Sequence, residues 1–485
     1  MSVPEAQEVA ARIAERLAAR RGTPVSVDSA RRLPAGASRA TYAASLVDGS
    51  GRTEPIVIRA VPTATDDGGL AAEAQVLRAA ADAGVPVPEI LDAGFGNSGI
   101  GDSGLGEPES GEPEIDTGGS ALGFPYLAMN FISGESIPRR ILRDDGHAVA
   151  RSRFVGQCGR ILARVHQIDP AKTPDLTELT DPIEGLRRLF TREFDAMPAG
   201  LVLAVQWLRD NPPEPSPAPC VVHGDFRLGN LLVDNEGIAA VLDWELVHIG
   251  DPIEDLGWLC AKAWRFGAAA PVAGMGERAA LLDAYAEVAG WRPTIETLRW
   301  WELYATVKWG LICAVQANRH LDGVERSVEL AAIGRRSAEQ EFDALLDLGL
   351  VSPEVVDDPL AAGLPAPDEE PHGAPGAAEL LEALAEFLRS ESVTAEMSPQ
   401  IRFHTRVAGN VVDIVRRQVL LGPAQAAESA ARLAALGVAD QKALCAALWS
   451  GELDGTDQKV RDAIIADVRA RLLVANPKYF AVPHP

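Results

Sequence analysis

Apolar and polar positions along the chain predict strands near the N-terminus and helices farther on. Val9, Ile13 and Leu17 recur every four residues among charges of both signs, which is the spacing of an amphipathic helix. The run Pro-Ile-Val-Ile-Arg at 55–59 predicts a buried strand. The stretch from Leu70 to Ala83 has helical spacing, so a helix is expected directly after the strands.

The middle of the chain has a second strand pattern at 126–132, followed by mostly helical spacing that includes Phe154 to Ile168. One β-rich stretch interrupts the helices between Cys220 and Asp243. Its short apolar runs lie at 221–222, 231–233 and 239–242, with the turn sequence Asp-Asn-Glu-Gly at 234–237. The last two runs therefore predict a tight pair of strands.

Two segments have too few apolar residues to pack. Residues 94–123 are rich in Gly, Glu, Ser and Asp, which predicts a mobile insertion, and residues 351–376 are crowded with Pro, Asp, Glu and Gly, which is typical of a linker. Two G-x-G-x-x-G matches in 94–104 do not open an apolar helix, so low complexity explains both. Helical periodicity resumes after the linker, and residues 377–485 are expected to form a small helical bundle.

Composition limits the class of protein. The chain has 485 residues, 47% hydrophobic and 24% charged, which suits a globular protein of two or three domains. Its apolar runs fall short of the roughly 20 residues that a membrane helix needs. The N-terminal helix lacks the apolar core of a signal peptide, and the five cysteines form no C-x-x-C pair, so we expect a cytoplasmic protein with reduced thiols.

The net charge of −24 argues against general nucleic-acid binding, because phosphate neutralisation needs clustered Lys and Arg. Any phosphate must be held locally by a helix end, a metal ion or a few placed cations. A small molecule is therefore the expected partner.

Candidate chemistry lies in the sequence V-V-H-G-D-F-R-L-G-N at 221–230 and in the D-W-E that follows at 243–245. Phosphoryl transfer needs a carboxylate that orients the acceptor hydroxyl and oxygen ligands that hold magnesium. Asp225 suits the first task, and Asn230 and Asp243 suit the second. Taken singly, each is as well explained as a cap or a turn residue, but the combined spacing favours the functional interpretation.

This pattern resembles the aminoglycoside phosphotransferase family, also called the phosphotransferase enzyme family, from about Ala30 to Glu341. It is especially similar to the kinase-like domains fused to some acyl-CoA dehydrogenases. The resemblance implies an α+β, protein-kinase-like, two-lobed fold with a small antiparallel sheet in the N-lobe and a mostly helical C-lobe. The expected boundaries are 1–133 for the N-lobe, 134–350 for the C-lobe, 351–376 for the linker and 377–485 for an all-α domain that is similar to an uncharacterised helical module.

The resemblance also implies roles in the catalytic loop. Asp225 is expected to be the catalytic base, Arg227 to steady the transferred phosphate, and Asn230 and Asp243 to bind Mg²⁺ with ATP or GTP as the phosphate donor. His223 is expected to brace the backbone. In the segment 250–257, Asp251 suits a helix N-cap, and Asp251 and Asp255 are expected to support the catalytic loop.

The expected nucleotide site lies on the strands. Gly36 and Ser38 are in a loop that either offers N–H groups to phosphate oxygens or is a plain β-turn. Arg59 stands where kinases place a Lys on the following strand, and Glu73 is its expected partner; the alternative is a surface ion pair without function. The hinge is expected at 128–130, where Met129 and Asn130 would meet the base.

Two functions of different classes remain open from the sequence. One is an ATP-dependent kinase of a small-molecule hydroxyl, with a hydroxy acid or acyl thioester suggested by the dehydrogenase fusions and an aminoglycoside by the family name. The other is a nucleotide-binding scaffold without turnover whose C-terminal helices mediate interactions. The helix containing Trp300 to Trp309 either faces a substrate cleft or packs in the core.

Overall fold

The computed structural model describes residues 5–33, 40–61, 69–95, 120, 122–362 and 375–484. The first elements are α1 (Ala6–Arg21), β1 (Val25–Leu33), β2 (Ala40–Asp48), β3 (Thr53–Ala60), α2 (Leu70–Asp82), β4 (Ile90–Gly94), β5 (Tyr126–Asn130), α3 (Pro138–Arg143) and α4 (Ala148–Val165). They are followed by α5 (Pro182–Leu189), α6 (Thr191–Asp195), α7 (Ala199–Asp210), β6 (Cys220–Val222), β7 (Leu231–Val233), β8 (Ile238–Val241), β9 (His248–Gly250), α8 (Ile253–Cys260) and α9 (Arg278–Ala289). The remaining helices are α10 (Ile295–Leu321), α11 (Val328–Arg335), α12 (Ser337–Asp347), α13 (Ala377–Arg389), α14 (Glu391–Thr394), α15 (Pro399–Ala435), α16 (Gln441–Ser450) and α17 (Gln458–Ala475).

The chain divides into two compact units. The first unit comprises residues 1–180, 215–259 and 275–294, and the second comprises residues 181–214, 260–274 and 295–485. The antiparallel sheet and the predicted catalytic segment both belong to the first unit. The second unit is helical throughout its described elements.

An antiparallel sheet of five strands, in the order β1-β2-β3-β5-β4, begins the first unit. Alternate residues of β3 point to opposite faces, because side chains in a strand alternate. Ile56 and Ile58 lie in a buried cluster with Val9, Ile13 and Leu17 of α1. Val57 and Arg59 are half-buried and therefore lie on the face away from α1. One face of the sheet thus packs in the core, and the other face carries Arg59.

The predicted strands and helices appear close to their expected positions. The strand predicted at 55–59 is β3, and the strand predicted at 126–132 ends at Asn130. The helix predicted at 154–168 is α4, which begins six residues earlier, at Ala148. Its first turns bury Ala150 alone, so they carry little of the apolar periodicity that predicts a helix.

Two short strand pairs frame the catalytic segment in the first unit. β6 pairs with β9, and β7 pairs with β8, all antiparallel. α4 and α9 pack closely beneath them at Gly159, where an added Cβ would lie 2.6 Å from the carbonyl oxygen of Leu281. A larger residue at this position would therefore push the two helices apart.

In the second unit, the aromatic residues of α10 pack in the core. Trp300, Trp301 and Tyr304 are all buried, with ring centroids of neighbouring pairs 4.9 Å apart. Glu302 is buried as well, and its Oε2 lies 3.6 Å from Nη2 of Arg265. Of the two interpretations of this helix, the structure supports core packing.

The C-terminal helices belong to the same unit as α7, α10 and α12. Arg471 of α17 donates to both carboxylate oxygens of Glu341 at 3.0 and 2.6 Å. Asn476 donates to Glu339 at 2.9 Å, and Tyr479 donates to Asp343 at 2.7 Å. All three carboxylates are buried on α12, where water cannot reach them. The C-terminal segment therefore supplies hydrogen-bond donors that these buried carboxylates need.

Parts of the sequence-based organisation fall outside the described residues. Most of the predicted insertion at 94–123 lies there, as do residues 363–374 of the predicted linker. The domain boundaries expected at 1–133, 134–350, 351–376 and 377–485 stay predictions. Within the described ranges, no helix is both long and apolar enough to cross a membrane.

The contact between Tyr479 and Asp343 gives a prediction about stability. Tyr479→Phe removes a donor from a carboxylate that is 1% exposed, so the free energy of unfolding should fall by about 1–3 kcal/mol. Urea unfolding of the full chain measures this change. In a double-mutant cycle with Asp343→Asn, the free energy of unfolding should fall by less in the double variant than the sum of the falls in the two single variants. Simple additivity would mean that the two side chains do not stabilise each other.

Candidate active site

The loop from His223 to Asn230 connects β6 to β7 and carries the predicted catalytic residues. Gly224 has φ +80°, and an added Cβ would collide with the carbonyl oxygen of Leu246. This left-handed position therefore requires glycine. The sharp bend lets the chain leave β6 and present the next residue, Asp225, at the edge of the strand pairs.

A buried carboxylate on α8 holds the backbone of this loop. Asp255 has no exposed surface, and its two oxygens accept the N–H groups of His223 at 2.8 Å and Gly224 at 2.9 Å. His166, the residue directly after α4, lies 3.2 Å from the same carboxylate through Nε2. Burial alone would raise the pKa of Asp255, but the hydrogen bond from His166 and the other donors lower it. The loop-supporting contact expected for Asp255 is thus present.

His223 braces the loop as a neutral imidazole. Its Nδ1 accepts the N–H of Asp225 at 3.2 Å, and its Nε2 donates to the carbonyl of Leu242 at 3.1 Å. Burial lowers the pKa of His223, because the charged form would be desolvated. The bracing role predicted for His223 fits these contacts, and a proton on Nδ1 would break the bond to Asp225.

The carboxylate of Asp225 receives three side-chain donors. Arg227 Nε lies 2.8 Å from Oδ1, Trp258 Nε1 lies 2.8 Å from the same oxygen, and Asn230 Nδ2 lies 2.6 Å from Oδ2. The residue is 8% exposed. Asp225 is therefore fixed in orientation yet reachable at its edge, as a general base must be.

Asp243 lies beside Asn230, because Leu242 N–H donates to the Asn230 carbonyl at 2.8 Å. Asp243 has φ +65°, which is uncommon for a residue with a side chain and marks a constrained position. Its side chain is 36% exposed. Because Asn230 directs Nδ2 to Asp225, its Oδ1 is the atom left to act as a ligand.

The cation predicted on β3 reaches the same place. Arg59 Nη1 donates to Oε1 of Glu73 in the first turn of α2, and Arg59 Nη2 lies 3.4 Å from Oδ1 of Asp243. The side chain of Arg59 is 18% exposed and that of Glu73 is 3% exposed. The pair is therefore not an ordinary surface ion pair, and it joins the sheet to the strand pair that carries Asp243.

A cavity of about 230 Å³ lies on the same face of the sheet as Arg59. Ala43, Ser45 and Pro55 line it, together with Phe131, which follows β5. The lining is mostly apolar, and Pro55 is four residues from Arg59 along β3. At about 3.3 Å per residue, the cavity lies roughly 13 Å from the guanidinium-bearing position. An apolar surface at this distance from a cation suits a molecule with one flat apolar end and one anionic end.

The two residues predicted at the hinge lie at the end of β5. Met129 is buried and pairs with Val57 of β3. Asn130 donates its N–H to the Glu89 carbonyl at 3.0 Å, and its Oδ1 accepts the Glu89 N–H at 2.8 Å. These groups of Asn130 are thus used within the protein. Gly36 and Ser38 of the predicted phosphate loop lie outside the described residues.

Trp258 and His166 were not among the residues predicted from the sequence. Trp258 follows Asp255 by three positions on α8, which places both on one face of the helix. The spacing of three residues is the sequence signal that Trp258 faces the same loop as Asp255. The segment predicted to support the loop ends at Gly257, one residue before Trp258. The contact of His166 with Asp255 joins residues 89 positions apart, for which the sequence offers no comparable signal.

The donor set suits a hard divalent cation. Asn230 Oδ1 and the Asp243 carboxylate are oxygen ligands of the kind that Mg²⁺ prefers, and they flank one strand pair, with Asn230 directly before β7 and Asp243 two residues after β8. Two such ligands would leave room for phosphate oxygens and water, which is usual for Mg²⁺ sites that hold a nucleotide.

The buried His223 gives a prediction about pH. Its folded pKa lies below that of the unfolded chain, so the stability it contributes is present above about pH 6.5 and is lost as the pH falls below that value. When urea unfolding is measured between pH 7.5 and 5, the free energy of unfolding should therefore fall less for His223→Gln than for the wild type. His404→Gln, at an exposed histidine, should keep the wild-type slope. Equal slopes for the wild type and His223→Gln would show that His223 does not remain neutral.

Two regions of the chain match models of known protein families. Residues 29–291, more than half of the 485 residues, match the Phosphotransferase enzyme family. Residues 395–479 match a domain of unknown function, DUF6285.

Two curated relatives are similar over part of the chain. "Acyl-CoA dehydrogenase family member 10" of Mus musculus is 27% identical over 240 residues, which cover 46% of this chain and 19% of the relative. "Acyl-CoA dehydrogenase family member 11" of Gallus gallus is 38% identical over 148 residues, which cover 29% of this chain and 19% of the relative. The matched segments thus span about a fifth of each relative's length.

A crystal structure from Ralstonia eutropha, of a protein provisionally assigned as an aminoglycoside phosphotransferase, shares the fold. Its TM-score is 0.50 at 22% sequence identity, over 67% of this chain and 93% of that chain. The predicted α+β, kinase-like fold class is confirmed by this likeness and by the observed sheet and helices. With its family match over more than half of its length, this chain belongs to the phosphotransferase enzyme family.

Proposed function

We propose that this protein transfers the γ-phosphate of ATP to a hydroxyl group of a small molecule. The observation that carries the proposal is the convergence of Asp225, Asn230, Asp243 and Arg59 within one compact unit. These groups provide a base, two metal ligands and a cation around one point. Family membership supports phosphotransfer in general, and the acceptor and the donor nucleotide are our proposals.

Asp225 would accept the proton of the acceptor hydroxyl through its carboxylate. As the acceptor oxygen forms its bond to the γ-phosphorus, the bond from that phosphorus to the β–γ bridging oxygen breaks and ADP leaves. Arg227 is 25% exposed at its side chain and two residues from the base, so its guanidinium can turn toward the transferred phosphate.

Asn230 and Asp243 would hold Mg²⁺, which supplies positive charge to the phosphate oxygens when bound. Arg59 would bind the α and β phosphates while Glu73 aims its guanidinium. The apolar cavity beside Pro55 and Phe131 would take the base of the nucleotide. ATP is proposed as the phosphate donor. GTP carries the same triphosphate and would contact the same side chains.

The dehydrogenase relatives favour a hydroxylated acyl compound, either a hydroxy acid or an acyl thioester, over an aminoglycoside as acceptor. This chain spans about a fifth of those relatives' length. Screening γ-phosphate transfer against a library of hydroxy compounds identifies it directly.

The proposed compartment is the cytoplasm. The five cysteines Cys158, Cys220, Cys260, Cys313 and Cys445 are all free thiols in the structure. Free, mostly buried thiols are typical of a reducing compartment, where ATP is also available.

One observation favours a second function, a nucleotide-binding scaffold without turnover. Arg59 replaces the Lys of most kinases and contacts Asp243 directly, so the cation and the proposed metal ligand partly neutralise each other. A scaffold of this kind would show a raised melting temperature with Mg-ATP but no ADP formation. Turnover with Mg-ATP would exclude it.

Removing the base tests the proposed function. Asp225→Asn should cut phosphoryl transfer at least about a hundredfold while nucleotide binding is kept, because the proton acceptor is lost and the phosphate site is not. ADP formation and the thermal shift with Mg-ATP measure the two effects. The matched control is Asp175→Asn, at an exposed carboxylate. Wild-type turnover in Asp225→Asn would overturn the assignment of the base.

The role of Arg59 is tested by two substitutions. Arg59→Lys keeps the charge and should be tolerated, whereas Arg59→Ala should raise the KM for ATP at least about tenfold, because a cation facing a polyanion is lost. Steady-state kinetics at varied ATP measure both. Arg52→Ala, at an exposed turn between β2 and β3, is the control. If Arg59→Ala kept the wild-type KM, another cation, with Arg227 the first to examine, would have to bind the phosphates.

A further inference from the structure

The indole of Trp258 makes a direct contact with the proposed base, and the phosphotransferase chemistry described above assigns it no role. Its Nε1 donates to Oδ1 of Asp225 at 2.8 Å, and the residue is 1% exposed. We propose that Trp258 is a positioning residue that fixes the carboxylate of Asp225 for phosphoryl transfer. This inference rests on the proposed role of Asp225 as the base.

α8 attaches to the catalytic loop at two levels. Asp255 accepts the backbone N–H groups of His223 and Gly224, and Trp258, one turn farther along the same face, donates to the side chain of the next loop residue. The first attachment fixes the backbone, but it leaves the carboxyl group of Asp225 free to turn. The terminal torsion of an Asp side chain is broad, so it needs a partner of its own.

Of the three donors to Asp225, Trp258 is the one to which the proposed chemistry assigns no ligand contact. Arg227 is 25% exposed and is proposed to contact the transferred phosphate, and Asn230 is proposed to bind the metal ion. An indole N–H is a donor only, and a ring with almost no exposed surface has few other rotamers. Trp258 therefore still holds Oδ1 when Arg227 turns to the phosphate, while Asn230 keeps Nδ2 on Oδ2 and presents its own Oδ1 to the metal.

The consequence is a division of labour between the two carboxylate oxygens. Among the described side chains, Oδ1 accepts from both Trp258 and Arg227, whereas Oδ2 accepts from Asn230, so Oδ2 has the lone pair that faces the acceptor hydroxyl and takes its proton. Without the indole N–H, the carboxylate would sample orientations in which neither oxygen is aligned. A small misplacement of a catalytic group lowers the rate of the chemical step without weakening nucleotide binding.

The test uses the full chain with Mg-ATP and follows ADP formation, with water or a hydroxy compound from the library as acceptor. Trp258→Phe should lower kcat about tenfold or more, while the KM for ATP and the thermal shift with Mg-ATP stay near the wild-type values. Because Phe leaves space in the core, a second variant replaces Trp258 with the isosteric β-(3-benzothienyl)alanine, which lacks only the N–H. It should lower kcat to a similar extent with an unchanged melting temperature.

Trp300→Phe is the matched control. Trp300 is also buried, and its Nε1 donates to the Leu208 carbonyl at 3.2 Å in the second unit. Trp300→Phe should lower the free energy of unfolding and leave kcat at the wild-type value. Wild-type kcat in the benzothienylalanine variant would overturn the positioning role, as would a fall in kcat that is matched by a loss of nucleotide affinity.

Asp225→Asn, measured in parallel, separates this proposal from the proposed function. If Asp225→Asn is inactive and the isosteric Trp258 variant is fully active, the base assignment stands and the positioning role is wrong. If Asp225→Asn keeps wild-type turnover, the base assignment is wrong and the inference about Trp258 is overturned with it.

Discussion

A carboxylate without exposed surface is costly unless donors surround it, and the geometry of the candidate site depends on how Asp255 meets this requirement. Its donors are the N–H groups of His223 and Gly224 and the imidazole of His166. The two backbone donors are consecutive, so the chain must bend there with Gly224 in the left-handed region. The bend in turn brings Asp225 to the edge of the strand pairs, beside Asn230 and Asp243. Satisfying one buried charge thus sets the position of the proposed base.

The positive charge of the site is supplied locally. With a net charge of −24, the protein as a whole repels polyanions, so phosphate binding depends on individual cations. Arg59 lies between the carboxylates of Glu73 and Asp243, one largely buried and one 36% exposed. The buried partner fixes the guanidinium, and the exposed partner contacts it at the longer distance of 3.4 Å. This asymmetry supports the proposal that Arg59 stays aimed by Glu73 when a phosphate approaches from the side of Asp243.

The C-terminal segment matched to a domain of unknown function uses several polar side chains internally. Arg471, Asn476 and Tyr479 all donate to buried carboxylates of α12, within the second unit. A buried carboxylate that loses a hydrogen-bond donor costs free energy, so these contacts make the segment part of the packing of the helical unit. This favours a structural role for residues 471–479 over a surface kept free for other proteins.

Hydrophobic periodicity predicts the strands near residues 55–59 and 126–130, residue spacing predicts the grouping of Asp225, Asn230 and Asp243, and the resemblance to the family implies the α+β class. The strands and the grouping depend on periodicity and on spacing around one short strand pair, which are local properties of the chain. Sequence patterns do not predict that Trp258 donates to Asp225 across 33 positions or that Arg59 reaches Asp243 across 184, because these pairs are brought together by tertiary packing. Contacts of this kind depend on how separate elements pack, and hydrophobic periodicity shows which face of an element is buried but not which side chain will lie opposite it.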